Sequence, residues 1–223
     1  MGIKERIAAV GYRVYLLLIF PLMFSMFRSL ALALILISAT TLNLRAQDAT
    51  PWMIDQAHTS VNFSINHFFS AVTGKFTDFE GSLSFDPDNL KASQAEFVVA
   101  INSVNTGEPK RDTHLQSPDF FDAQSYPKMS FRSTKFVKKS DQEYLLHGKL
   151  TIRDKTKSVI LPMKITGEME HPMMKGTLIL GVVIDTTLDR TDYGVGTGDW
   201  AATMVVGDEV RIHIPMELNR KKS

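Results

Sequence analysis

The chain contains no cysteine. Disulfide staples, thiolate nucleophiles and cysteine metal centres are excluded, so stability must come from packing and hydrogen bonding. No G-x-S-x-G elbow and no G-x-x-x-x-G-K-[ST] stretch occurs, which removes common hydrolase and nucleotide-binding signatures. Internal repeats and long helical patterns are missing too. Basic charge is absent where a nucleic-acid binder would need it. The first 46 residues hold five Lys or Arg and one Glu, so the 177 that follow carry a formal net charge of −3 against +1 for the whole chain. No basic stripe remains to neutralise phosphates.

What is present begins with an unusual N-terminus. Lys4, Arg6, Arg13 and Arg28 punctuate apolar runs at 14–27 and 30–37, and Leu44-Arg45-Ala46 precedes the polar QDATPW. Residues 1–46 read as a signal peptide, and initiation at Met23 or Met26 would give the segment ordinary proportions of roughly 15–30 residues. The alternative is an uncleaved anchor. A span needs about 20 consecutive apolar residues, and Pro21, Arg28 and the polar 38–43 run interrupt this one. Residues 47–223 suit one domain of about 100–200 residues. The expected export segment and the absence of cysteine point together to a cell-envelope compartment.

From Thr59 onward the hydrophobic period is two. Val61, Phe63 and Ile65 alternate with polar neighbours, as do Phe79, Gly81, Leu83 and Phe85, then Phe97, Val99 and Ile101, then Met129 and Phe131. The pattern continues through Tyr144, Leu146, Gly148, Leu150 and Ile152, through Val159 to Ile165, through Leu178 to Ile184, and through Val210 to Leu218. Each is the mark of a strand with one wet face. Asp86-Pro87-Asp88-Asn89, Lys139-Ser140-Asp141 and Glu170-His171-Pro172 supply turns. The architecture expected is all-β: a closed antiparallel barrel of about eight strands, in which the last strand pairs with an early one and removes both edges. One or two short helices are expected in the loop around 106–123, capped by Asn105 or Thr106 and stopped at Ser117-Pro118.

The loop 111–127, RDTHLQSPDFFDAQSYP, combines charge, imidazole and three aromatics. Phe120, Phe121 and Tyr126 need apolar cover, and long connections inside a compact β-protein tend to be lids or binding loops. Arg111 and Asp112 read as holding the loop through ion pairs and caps. Asp112 and His114 sit at i, i+2, which do not share a helix face. His58 and His67 are nine apart and would point to opposite faces of one regular strand. A metal-dependent or hydrolytic enzyme using His58, His67 and His114 on an apolar substrate is the competing class, although zinc needs three or four convergent ligands. Gly194-Val195-Gly196-Thr197-Gly198-Asp199 reads as a flexible connection rather than a phosphate cradle.

Phe63, Phe79, Phe97 and Phe131 lie on the inward phase with Ile65, Leu83, Val99, Ile101, Leu146 and Leu150. The residues alone leave open a filled core or an apolar pocket, because Gly74, Gly81, Gly148 and Gly181 space the bulky side chains. A solidly packed interaction module is a third reading.

Read together, DQAHTSVNFSINHFFSAVTGKF, FTDFEGSLSFDP, INSVNTGEPKRDTHLQSPDFFDAQSYPKMSFRS, HGKLTIRDKTKSVILP, LDRTDYGVG and VGDEVRIHI resemble the YceI-like family of exported lipid-binding proteins. The resemblance spans the chain after the signal. It implies a lipocalin-like barrel whose cavity takes an isoprenoid quinone or prenyl lipid in the periplasm, with no catalytic residues, no metal and no cofactor beyond that lipid. His58, His67, Arg111, Asp112, His114, Phe120, Phe121, Tyr126 and Arg190 match motif positions. Asp154 stands where the family often has glycine, and the 196–200 stretch is additional. On this reading Phe63, Ile65, Phe79, Leu83, Phe97, Val99, Ile101, Phe131, Leu146 and Leu150 line the ligand, Phe120, Phe121 and Tyr126 cover it, and Arg111 and His114 position the loop or meet a head group. Proximity to a membrane and homodimerisation stay open.

Overall fold

Each alternating run pairs with a neighbouring run, so the sheet is a meander of antiparallel strands. The computed structural model describes residues 49–202 and 204–222; the expected export segment lies outside them. The strand segments are β1 (Pro51–Ile54), β2 (Val61–His67), β3 (Ser70–Phe76), β4 (Phe79–Ser84), β5 (Gln94–Ala100), β6 (Val104–Asn105), β7 (Lys128–Lys138), β8 (Glu143–Ile152), β9 (Lys155–Glu170), β10 (Thr177–Asp189) and β11 (Val206–Lys221). The helix α1 spans Pro109–Gln116.

The sheet closes on itself. β1 pairs with β4 through Trp52↔Leu83 and with β11 through Ile54↔Leu218, so β1, β4, β5, β7, β8, β9, β10 and β11 form an eight-strand ring. β2, β3 and β6 prolong β1, β4 and β5. β2 pairs with the other half of β11 (Phe63↔Ile212), with β3 (Phe63↔Gly74), and β3 with β6 (Phe76↔Val104). Three staves of the barrel are therefore bent, at 55–60, at 77–78 and at the 3₁₀ turn Ile101–Ser103. The backbone at the bends stays satisfied, as it must when half-buried: Thr77 N–H donates to Ser103 O at 3.2 Å and Ala100 N–H to Asp78 O at 3.0 Å.

β1 and β3 are strands that alternation did not reveal. β1 is four residues with only Trp52 buried, and β3 reads SAVTGKF, small and glycine-interrupted. The expected helix exists, with a different cap. Glu108 is the N-cap, its carboxylate accepting from Lys110 N–H, and Pro109 opens the first turn. Asn105 and Thr106 lie in the preceding turn instead.

The barrel has two unlike ends. Around the connections 85–93 and 139–142 it is solid, with Leu83, Tyr144, Leu146, Leu180 and Leu218 all at 1 % exposure or less. Around the opposite connections, 68–69, 101–127, 153–154 and 190–205, it is hollow.

Candidate ligand cavity

The hollow end encloses a cavity of about 760 Å³, within the ~300–1,000 Å³ range of ligand pockets. Phe63, Ile65, Phe79, Phe97, Val99, Phe131 and Leu150 line it from the wall, and Arg111, His114, Phe120 and Phe121 from the long connection. Four residues expected there lie elsewhere. Leu83 and Leu146 are in the packed end. Ile101 turns into a separate cluster with Phe76, Val99 and Val104. Tyr126 stands outside, its ring 5.7 Å from the Arg153 guanidinium carbon, because Asp122 adopts φ +49° and redirects the chain. Val210, Ile212, Ile214 and Met216 complete one wall, on the phase that alternation marked. Tyr193, Val195 and Trp200 also line the cavity from the LDRTDYGVG block and the stretch after it, where no period could assign them.

The inward glycines do not leave gaps. A Cβ at Gly74 would come within 2.8 Å of Phe63 Cε1, one at Gly81 within 3.0 Å of Phe97 Cε1, and one at Gly148 against the Phe131 ring. Each phenylalanine leans over a glycine on a neighbouring strand, covering its backbone. The rings thus fold down onto the wall, and the lumen stays open. Gly181 is different, since Thr166 covers it between the buried Leu180 and Val182.

His67, Glu108, Lys110 and Asp189, exposed members of the lining, mark the mouth. Polar residues cluster there. Arg111 donates from Nε to Thr106 Oγ1 at 2.8 Å and from Nη2 to Thr106 O at 3.1 Å, while its Nη1 makes no hydrogen bond among the described residues. Asp112 accepts from Thr106 N–H at 2.8 Å and from its hydroxyl. Both residues therefore hold the turn before α1, and Arg111, which also lines the cavity, keeps one donor group unused. His114 pairs with Asp119, Nε2 to Oδ2 3.1 Å, not with Asp112. Its ring packs edge-on against Phe120 and Trp200 at 5.0 and 4.9 Å.

Arg190 anchors the loop opposite. It is 5 % exposed, and its five N–H groups meet five backbone carbonyls: Nε on Gly207, Nη1 on Val195 and Gly196, Nη2 on Trp200 and Val206. Burial pushes its pKa down, opposed by Asp208 and Asp189, and Asp208 Oδ1 stands 3.2 Å from Nη2. Gly196, at φ +63°, is where Arg190 and Phe120 approach the backbone most closely. The glycine-dense connection is thus tied to one guanidinium rather than loose. Next to it, burial raises the Tyr193 phenol.

The histidines do not converge. His58 Nδ1 sits 3.0 Å from Asp55 and 3.9 Å from Glu217, whereas His67 pairs with Val206 at the other end of β11. Nine residues cap their separation at about 30 Å, and the strand β2, Val61–His67, carries His67 about 20 Å along from its start at ~3.3 Å per residue. Among the described residues, donor atoms of Asp55, His58 and Glu217 lie within 4.8 Å of one another and could hold a cation, but the group is outside the cavity and His58 is 65 % exposed. His171 accepts from Met173 and Met174 N–H in its turn, and His213 pairs with Asp185 on the outer face.

These features define a class: a closed eight-strand antiparallel barrel, lipocalin-like, with one apolar cavity open at one end. The YceI-like domain model matches residues 52–218, and the chain belongs to the YceI-like family. A UPF0312 protein of Vibrio cholerae is 33% identical over 153 residues, covering 67% of this chain and 80% of that relative. The crystal structure of the Campylobacter jejuni YCEI protein has a TM-score of 0.64 at 32% identity, covering 76% of this chain and 98% of that one. A polyisoprenoid binding domain from Saccharophagus degradans shares the fold, with a TM-score of 0.57 at 14% identity over 77% of this chain and 98% of that domain.

Proposed function

We propose that the protein is an exported, non-catalytic carrier that sequesters one long isoprenoid chain, as an isoprenoid quinone or prenyl lipid, in the periplasm. The observation that carries this reading is the cavity itself: a large lumen walled by Phe, Ile, Leu and Val, with charges confined to its mouth. Such a lining selects for length and apolarity. Each methylene transferred from water contributes about 0.8 kcal/mol, so several isoprene units bind tightly without a charged contact in the tunnel. The Arg111 Nη1 group, with Lys110 beside it, would meet a polar head at the mouth. The Saccharophagus degradans neighbour, a polyisoprenoid binding domain, supports the ligand class, and the apolar, cation-flanked N-terminus supports export. Among the described residues His67 and His114 both line the cavity while His58 lies outside it, and the three form no common metal-binding group.

The test is native mass spectrometry and lipid extraction of protein purified from its own host. A stoichiometric isoprenoid is expected. Protein that arrives lipid-free and takes up neither quinones nor prenyl phosphates refutes the proposal.

A further inference from the structure

The β2–β3 hairpin ends in two phenylalanines that the barrel interior does not use. Phe69 is fully exposed and Phe68 is 57 % exposed. Phe68 also holds φ +49°, a left-handed conformation that bulky residues enter against a steric penalty and that Gly, Asn or Asp adopt readily. An aromatic there disfavours folding and wets its ring at once, the pattern of a residue kept for an interaction.

The surroundings suit an apolar partner. Residues 59–74, TSVNFSINHFFSAVTG, include no Asp, Glu, Lys or Arg in a chain that is 22% charged, so the hairpin can leave water without stripping a charge. It also projects. β3 meets β6 only at Lys75 and Phe76, so residues 70–74 run beyond the end of β6 by about 17 Å at ~3.3 Å each. Phe68 N–H donates to Val205 O at 3.0 Å, which joins the tip to a second uncharged stretch where Ala201, Ala202 and Met204 are exposed, Met204 by 83 %. His67 and Val206, paired across β2 and β11, line the cavity directly beneath.

We propose that this rim is a membrane-docking surface: Phe68, Phe69 and Met204 enter the interfacial layer of a lipid bilayer and bring the cavity mouth to its acyl chains. Aromatic and aliphatic side chains seat at that depth when no charge accompanies them. An uncharged tip that runs past the end of β6 fits a fluid layer, whereas a second copy of the chain would need a complementary surface. The inference goes beyond the isoprenoid reading, because it stands on the hairpin and not on the cargo.

The absence of cysteine makes the test direct. The full chain carrying Phe69→Cys, and separately Met173→Cys in the β9–β10 turn at the opposite end, is labelled with an environment-sensitive fluorophore and mixed with vesicles of phosphatidylcholine and phosphatidylglycerol bearing doxyl-quenched chains. The label at 69 should shift to the blue and lose intensity to the quencher, while the label at 173 stays unchanged. A label placed by Met204→Cys should behave like that at 69, and should lose its quenching when Phe68→Asn and Phe69→Ser are added, changes that suit the turn and leave folding intact. No response at 69, equal responses at 69 and 173, or a blue shift that grows with protein concentration in vesicle-free buffer overturns the proposal, the last in favour of a self-association surface. Protein that takes up neither quinones nor prenyl phosphates yet still docks would refute the cargo and leave the docking standing.

Discussion

Replacing Gly74 by alanine separates the shape of the cavity from the stability of the fold. A Cβ there would meet only side-chain atoms, Phe63 Cε1 at 2.8 Å, its Cζ nearer still, and Thr106 Cγ2 at 2.9 Å. Carbon–carbon contact is comfortable at about 3.5–4.0 Å, so the Phe63 ring must retreat by roughly 1 Å, and the space on its other side is the lumen. Folding should barely register the change: alanine recovers about 0.5–1 kcal/mol of strand propensity over glycine, against about 0.5–1.5 kcal/mol for an off-rotamer ring. Ligand should register it, because a ring moved inward excludes about one or two methylenes, ~0.8–1.6 kcal/mol, or roughly 4–15-fold in affinity. Gly148→Ala is the contrast. Its Cβ would also strike the Arg132 carbonyl oxygen at 2.6 Å, and backbone cannot step into a cavity, so a loss of about 1–3 kcal/mol in stability is expected. Urea denaturation and titration with a fluorescent prenyl probe read the two effects, and Phe63→Leu added to Gly74→Ala should restore binding. A Gly74→Ala protein that binds normally, or that is less stable than Gly148→Ala, would refute the idea that phenylalanines lying over glycines keep the lumen open.

Arg190→Met should destabilise the protein by about 3–5 kcal/mol, since five carbonyls and Asp208 lose their partner, and hydrogen exchange should locate the loosening at 195–207; Arg190→Lys should rescue little, because an ammonium cannot span that fork. Arg111→Ala should weaken binding of a prenyl phosphate more than that of a chain without a charged head, measured side by side, and equal losses would assign Arg111 to holding Thr106 alone. The Asp55 hydrogen bond raises the pKa of His58 and the same bond lowers that of Asp55. The stabilisation is therefore complete between the ordinary carboxylate and imidazole ranges, is lost as pH falls through the depressed Asp55 value, and is lost again as pH rises through the raised His58 value. His58→Ala should lower the thermal midpoint inside that window and leave it unchanged at alkaline pH.

The strands were legible because one-sided burial forces a period of two on every stave, and those that escaped notice are instructive. β3 carries its inward phase as Val72, Gly74 and Phe76, and the central glycine breaks the pattern because the ring that fills its place comes from β2. The cavity was legible only in part. Alternation reports which face a residue occupies but not its height along the barrel axis. Leu83 shares its phase with Phe79, and Leu146 with Leu150, yet each pair divides between the packed end and the hollow one. Tyr126, expected to cover the ligand, stands outside the cavity beyond a left-handed Asp122 that no hydrophobic pattern encodes. The cap of α1 fell at Glu108 because Thr106 is occupied by Asp112 and Arg111.

Division into two ends also explains how one small barrel keeps both a core and a lumen. Bulky aliphatics at the closed end, with Trp52 and Tyr144 among them, supply burial that does not depend on ligand. At the open end the sequence uses inward phenylalanines with glycines across from them, a combination that removes apolar area from water along the wall while leaving the axis free. The long connections of that end lie outside the strand ladders, and their order comes from polar clamps: Arg190 on the 195–207 connection, Arg111 and Asp112 on Thr106, and Arg153 Nη1 on the carbonyls of Phe120 and Gly194 at 2.7 and 2.6 Å. Arg190 and Arg153 are cations satisfied by backbone carbonyls, while Arg111 and Asp112 bind both the backbone and the hydroxyl of Thr106, so each clamp fixes a loop without filling the lumen. A ligand entering between α1 and the β2–β3 hairpin would then meet a preformed tunnel, and little of the methylene burial would be offset by ordering the protein.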